Sequence, residues 1–221
     1  MRKPVIAIDG PAGAGKSSVS RRLASELNLT YLDTGAMYRV LALATRRAEV
    51  APDDADAVER VMDSIAIGFA QGGNATLNDE DVSGDIRTVE VAERASTASI
   101  HPAVRRKMVA LQQAFVKDGG VVLEGRDATT VIAPNAEVKI YLTASLEERA
   151  RRRTVDFAAQ GKDEAFGNVR EQIEQRDHRD ITRSESPLKV ADDATVVDSA
   201  NMTIDEVVAR IAEIYRGALV E

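Results

Sequence analysis

A chain of 221 residues, 44% hydrophobic and 29% charged, has the composition of one globular domain or of a core with a small insertion. Its formal net charge of −7 argues against nucleic acid or an anionic membrane as the main partner, although local arginines can still hold a small anion. It has no cysteine, which excludes a disulfide framework and thiolate metal sites and points to a reducing compartment, the cytoplasm.

In chain order, Val5-Ile6-Ala7-Ile8 reads as a buried parallel strand. Asp9 interrupts that apolar run too early for a signal peptide, and no stretch approaches membrane-spanning length. Gly10-Pro11-Ala12-Gly13-Ala14-Gly15-Lys16-Ser17 then fits G-x-x-x-x-G-K-[ST], the phosphate-binding loop. Val19, Leu23, Ala24 and Leu27 follow at helical spacing, so strand, loop and helix stand in the order the motif requires. Glycines let the backbone N–H groups approach phosphate oxygens, and the helix start adds a positive dipole end. Lys16 is expected at the β- and γ-phosphates, with the Ser17 hydroxyl on Mg²⁺.

Leu29–Asp33 reads as a second strand, and Thr34 is a plausible N-cap for a helix carrying Met37, Arg39, Leu41 and Ala44. A helix starts at Pro52-Asp53-Asp54, and Ser64–Phe69 alternates like a half-exposed strand. Gln71-Gly72-Gly73-Asn74 is a turn signal before a partner strand at 75–78. Hairpins are unusual within a run of βαβ units, so roughly 60–90 is read as an inserted subdomain. Two helices follow, the second opened by Pro102. Ser96 and Arg105 lie on them and, taken singly, read as surface residues; His101 reads as structural.

Val121-Val122-Leu123-Glu124 is another buried strand, ending in Gly125-Arg126-Asp127. An acid at a strand's carboxyl end suits a metal ligand or an orienting group, so Glu124 is a candidate for Mg²⁺, through water. After a strand at 138–142, a charged helix begins near Ser145 and carries Arg149, Arg151, Arg152 and Arg153. Glu147/Arg151 and Glu148/Arg152 are i,i+4 pairs, so a solvated face competes with a reach over the triphosphate, for which Arg151 is singled out. Gly161-Lys162-Asp163 breaks this helix, leaving 154–166 as a short mobile cover. On the next helix Arg176, Asp180 and Arg183 fall on one face, suited to a phosphate and a hydroxyl. A last strand at 194–197 and a helix with Ile204, Val207, Ile211 and Ile214 close the chain, without repeats or long linkers.

These residues together resemble the bacterial cytidylate kinases, which are nucleoside monophosphate kinases. The carriers are Asp9–Ser18, Asp33-Thr34-Gly35-Ala36-Met37-Tyr38-Arg39, Asp81-Val82-Ser83-Gly84-Asp85-Ile86-Arg87, Gly125-Arg126-Asp127, and Arg176–Asp180 with Arg183. The resemblance implies an α/β fold of the P-loop monophosphate-kinase kind: a five-stranded parallel sheet with helices on both faces, an inserted monophosphate-binding subdomain and a short lid. The expected division is a core of 1–38 and 86–221, the lid within it, and a binding region of 39–85 whose hairpin spans about 60–85.

The activity implied is phosphoryl transfer from ATP to CMP or dCMP, with ATP on Gly10, Pro11, Ala12, Gly13, Ala14, Gly15, Lys16, Ser17 and Ser18. Thr34, Arg39, Arg126 and Arg183 would surround the monophosphate. Ser96, Arg105 and Asp127 would meet cytosine, and Arg176 and Asp180 the sugar side. Lys16, Arg39, Arg126, Arg151 and Arg183 are the expected catalytic set. The expected partners are small molecules, with no nucleic acid and no membrane, and the expected state is a monomer. UMP or AMP as acceptor, or a non-catalytic nucleotide switch, remain as alternatives. The chain departs from the family at Ala128-Thr129, where an aliphatic residue and a glycine usually stand, and has Thr34 where many members have serine.

Overall fold

The computed structural model describes residues 3–70, 73–159 and 161–219. The Gln71-Gly72 half of the expected turn and Gln160 of the expected cover lie outside these residues. The chain divides into two compact units, Met1–Tyr31 with Asp118–Glu221, and Leu32–Lys117.

The first unit is built on a parallel sheet. Its strands are β1 (Lys3–Asp9), β2 (Thr30–Asp33, whose last two residues are counted with the second unit), β6 (Gly119–Gly125), β7 (Val138–Thr143) and β8 (Thr195–Asp198), in the spatial order β2-β6-β1-β7-β8. Central β1 pairs with β6 on one side and β7 on the other, setting Ile6 opposite Val122 and Val138, and Ile8 opposite Glu124 and Ile140. A strand flanked this way is apolar throughout, and Val5, Ile6, Ala7 and Ile8 are all fully buried. Helices α1 (Lys16–Leu27) and α8 (Ile204–Ala218) pack on each other, bringing Val19, Leu23, Val208 and Ile211 onto Ile140 and Leu142. Each such large side chain contributes about 1.5–3 kcal/mol by leaving water. Asn28, at φ 52°, ends α1, and Thr203 with Glu206 forms a capping box at the start of α8.

The second unit holds α2 (Thr34–Arg47), α3 (Ala55–Asp63), the antiparallel strands β3 (Ile67–Phe69), β4 (Ala75–Leu77) and β5 (Glu80–Asp81), then α4 (Val89–Ala98) and α5 (Pro102–Val116). Asn78 and Asp79, both at positive φ, make the two-residue turn between β4 and β5. Asp33, not Thr34, caps α2: its carboxylate accepts the Ala36 N–H at 2.9 Å, and Thr34 is the first helical residue. The unit reaches beyond the 39–85 expected, because α4 and α5 pack on α2 and belong with it. His101 is structural in the sense expected, its Nε2 lying 2.8 Å from the Pro52 carbonyl.

In the first unit, α6 (Leu146–Ala159) runs further than the sequence suggests, so 154–159 of the expected cover is helix. Gly161, at φ 73°, stops it, with its N–H on the Ala158 carbonyl and the Lys162 N–H on that of Phe157. Helix α7 (Phe166–Thr182) packs on α6.

Candidate active site

The loop between β1 and α1 closes tightly. A Cβ on Gly10 would stand 1.9 Å from the Leu142 carbonyl oxygen, so no other residue fits between β1 and β7 here. Gly15, the N-cap of α1, supplies no side-chain cap, as is also the case at α5 and α7, while α2, α3, α4 and α8 are capped by Asp33, Asp54, Thr88 and Thr203. An uncapped N-terminus leaves its first-turn N–H groups to an anion. Ser17 and Ser18 are exposed on that turn.

Lys16 is buried, and its ammonium donates to the Gly10 and Pro11 carbonyls at 2.7 and 2.8 Å. Burial pushes its pKa down to about 7; the charges of Arg126 and Arg176 add to the shift, and Glu124 and Asp9 oppose it. A lysine held this way gains from an arriving phosphate. Glu124, buried near the end of β6, accepts the Tyr31 hydroxyl at 2.6 Å.

Three arginines gather on one carboxylate. Arg126 Nε donates to Asp180 Oδ2 at 2.8 Å, and Arg183 donates to Oδ1 at 3.3 Å and to the Ser186 carbonyl at 2.6 and 2.8 Å. Burial pushes the Asp180 carboxyl up, but Arg126, Arg176 and Arg183 outweigh it and hold it below the ordinary carboxylate value. Asp177 and Glu124 also act on Arg126, and Glu124 and Asp9 on Lys16, so these cations sit among carboxylates, and the guanidinium forks have the donor geometry that a phosphate takes. The surface-helix alternative for this segment fails, because Asp177 and Asp180 are both buried.

Arg126 and Asp127 sit on a bend that Asp9 holds. The Asp9 carboxylate accepts the N–H groups of Ala128 and Thr129 at 2.9 and 2.8 Å and the Thr129 hydroxyl at 2.6 Å. The following turn, Ala128–Ile132, is of π type, with the Asp127 carbonyl taking the N–H groups of Val131 and Ile132. Asp127 is buried. Burial is also the main cause raising the Asp9 carboxyl above its ordinary value, against the pull of these three donors.

In the second unit, Thr34 is buried at the start of α2, and its carbonyl accepts Gln112 Nε2 at 3.4 Å. Arg39 donates to the Ile86 carbonyl at 3.5 Å. Arg105 corrects its surface reading: it is 1% exposed, its guanidinium lies 5.4 Å from the centre of the Tyr38 ring, and it donates to the Ser99 carbonyl at 3.1 Å. The Ser99 hydroxyl in turn donates to the Ser96 carbonyl at 2.9 Å, so Ser96 and Arg105 meet around one residue. Ser96 is half-buried.

The arginines of α6 part company. Arg149 turns into the phosphate loop and pairs with buried Asp177, a residue inside the Arg176–Asp180 stretch to which the sequence reading gave no role. Arg152 bonds Glu148 and Ser199, and Arg153 stacks on Phe157 at 4.5 Å. Arg151, the one singled out, has a side chain 63% exposed and paired with Glu148, so it is not gathered with the loop residues. Of the expected i,i+4 pairs only Glu148/Arg152 forms, while Glu147 turns to Arg170. Among the described residues no cluster of three or more acidic or histidine ligands could hold a metal by itself. No helix in these residues is long and apolar enough to cross a membrane.

The model of the family described as cytidylate kinase matches residues 6–217. A cytidylate kinase of Mycobacterium leprae is 47% identical over 213 residues, 96% of this chain and 95% of that protein. A bifunctional pantoate ligase/cytidylate kinase of Synechocystis is 47% identical over 221 residues; they cover 97% of this chain and only 43% of that longer protein. Among solved structures, a shikimate kinase from Acinetobacter baumannii in complex with shikimate aligns over 99% of this chain and 96% of its own, with a TM-score of 0.51 at 14% identity. That likeness concerns the fold alone.

Proposed function

The chain belongs to the cytidylate kinase family, and on that premise we propose that it transfers the terminal phosphoryl group of ATP to CMP, giving CDP and ADP. The observation that carries the reading is the gathering of Arg126, Arg176 and Arg183 on Asp180, with the charges of Arg126 and Arg176 reaching Lys16 at the phosphate loop. Phosphoryl transfer between two anionic substrates calls for positioning and charge neutralisation rather than covalent chemistry.

The residue assignments are as follows. Gly10–Ser18 hold the ATP phosphates, Lys16 leaving its two carbonyl partners for the transferring group. Thr34, Arg39, Arg126 and Arg183 hold the monophosphate, and Arg176 and Asp180 the sugar. Ser96, Arg105 and Asp127 read the base. A carboxylate only accepts and a guanidinium only donates, so Asp127 takes the cytosine amine and Arg105 serves N3 or O2. Uracil presents the opposite pattern at that edge and leaves buried groups unpaired. Arg151 is proposed for the transition state. Its exposed pair with Glu148 is cheap to break.

Mg²⁺ fits the donors at hand. Ser17 offers an exposed hydroxyl and Glu124 a carboxylate, hard oxygen ligands that leave the rest of the shell to phosphate and water. When bound, the ion neutralises charge on the donor phosphates. We further propose dCMP as a second acceptor, a monomeric state and a cytoplasmic setting.

The test is ADP release with CMP, dCMP, UMP, AMP and GMP, repeated with Asp127→Ala. CMP is expected to lead, and the variant to narrow the CMP-to-UMP ratio of kcat/KM. Equal loss on both would remove Asp127 from base reading, and preference for another acceptor would overturn the substrate assignment. ATP binding without any acceptor-stimulated ADP release would indicate a nucleotide switch.

A further inference from the structure

The peptides on both sides of Ala12 are held by a ring of buried polar groups. The Ala12 N–H donates to Asp177 Oδ1 at 2.8 Å, and the Ala12 carbonyl accepts Arg149 Nη1 at 2.8 Å. The same nitrogen closes the ring on Asp177 Oδ2 at 2.5 Å, while Arg149 Nε is anchored on the Ala144 carbonyl at 3.0 Å. Arg149 comes from α6 and Asp177 from α7. The approach is close: a Cβ on Gly13 would stand 3.2 Å from Arg149 Cβ.

A trans peptide is planar, so fixing one of its polar groups aims the other the opposite way. With the Ala12 N–H on Asp177, the Pro11 carbonyl is turned away from Asp177, and it is this carbonyl that holds Lys16 Nζ at 2.8 Å. With the Ala12 carbonyl on Arg149, the Gly13 N–H is turned away from Arg149. Buried ion pairs are poor sources of stability, because desolvation of both charges offsets their attraction. The Ala12 N–H, spent on Asp177, is itself withdrawn from any ligand.

We propose that Arg149 and Asp177 are positioning residues that fix the peptides around Ala12, and so set the aim of the Gly13 N–H and the resting place of Lys16 for the triphosphate donor. This rests on the reading of Gly10–Ser18 as the ATP loop. It assigns Arg149 to the loop and not to the transferring phosphoryl group.

The test compares Asp177→Asn, Arg149→Lys and the double variant Arg149→Met/Asp177→Leu by steady-state kinetics, ATP calorimetry and thermal unfolding. Each single variant should raise KM for ATP by about tenfold or more and leave KM for CMP within about twofold. The apolar double variant should regain thermal stability relative to Asp177→Asn while keeping the ATP defect. A double variant with normal stability and normal ATP affinity would reduce the pair to packing and overturn the proposal. So would equal losses for ATP and CMP, or single variants that unfold without an apolar rescue. Lys16→Met separates the two readings. If it leaves ATP affinity intact the loop assignment fails, and if it abolishes affinity while the clamp variants do not, the clamp alone fails.

Discussion

Asp9 and Thr129, 120 positions apart in sequence, are joined by a hydrogen bond of 2.6 Å from the threonine hydroxyl to a fully buried carboxylate. The bond ties the strand that leads into the phosphate loop to the bend carrying Arg126 and Asp127. A glycine at 129, as the resembling family usually has, could not make it. The departure at Ala128-Thr129 thus replaces backbone freedom with a side-chain lock. Thr129→Val keeps the shape and removes the hydroxyl. It should cost about 1–3 kcal/mol in urea unfolding, while Thr129→Ser should recover most of the loss. A valine variant as stable as the parent would show the lock to be idle.

Lys16 gives a pH signature. Its folded pKa of about 7 lies below the unfolded value of 10.5, so between these the unfolded chain binds more protons. Stability therefore rises with pH across that window, and the cost of the buried charge is fully present below pH 7. Lys16→Met should raise the Tm of the ligand-free protein by on the order of 5 °C at pH 6, and the gain should fade toward pH 10. The same variant should lower turnover by orders of magnitude. In the parent, ATP binding at pH 8 should take up a proton, read as a dependence of binding heat on buffer ionisation enthalpy.

Asp180 carries the opposite sign. Its folded pKa is held below the ordinary value, so its contribution is present above that value and lost as pH falls through the folded one. Asp180→Asn should destabilise by about 2–4 kcal/mol at pH 7, since three arginines lose their common anion. It should also flatten the acid limb of the stability profile, measured by urea titration from pH 7 to pH 3, and raise KM for CMP.

Two glycines of the loop should behave differently. Gly10→Ala drives a Cβ to 1.9 Å from the Leu142 carbonyl oxygen, so β1 and β7 must separate; a loss of about 4 kcal/mol or more is expected. A Cβ on Gly15 meets nothing within 4 Å, and only its φ of 89° is unfavourable. Gly15→Ala should cost about 1–2 kcal/mol and fold normally. Matched circular-dichroism melts of the two proteins decide the point.

The phosphate loop was readable because its strand, glycines, lysine and helix are contiguous, and contiguity is what periodicity and spacing report. Asp177 and Arg149 were not, because their partner is a backbone group up to 165 positions away. The choice of Asp33 over Thr34 as helix cap was also out of reach, since both are good caps and adjacent. Arg105 misled for a third reason: its burial depends on the Tyr38 ring and the Ser99 carbonyl, neither of which helical spacing places beside it. The arginines of α6 look alike in sequence, and their fates are set by the faces on which neighbouring helices and turns happen to lie.

The pairing of β1 with β6 has a bearing on how the chain is made. During synthesis Val5–Ile8 leave the ribosome with no partner strand, for Val5 pairs with Val121 and Ile6 with Val138. The second unit, Leu32–Lys117, is complete before either partner is available. The nascent chain must therefore carry its most apolar strand unpaired while another folding unit assembles downstream, an interval in which aggregation and chaperone capture compete with folding. Because the Ala12 clamp waits for Asp177, the phosphate loop takes its working form only once α7 has been made.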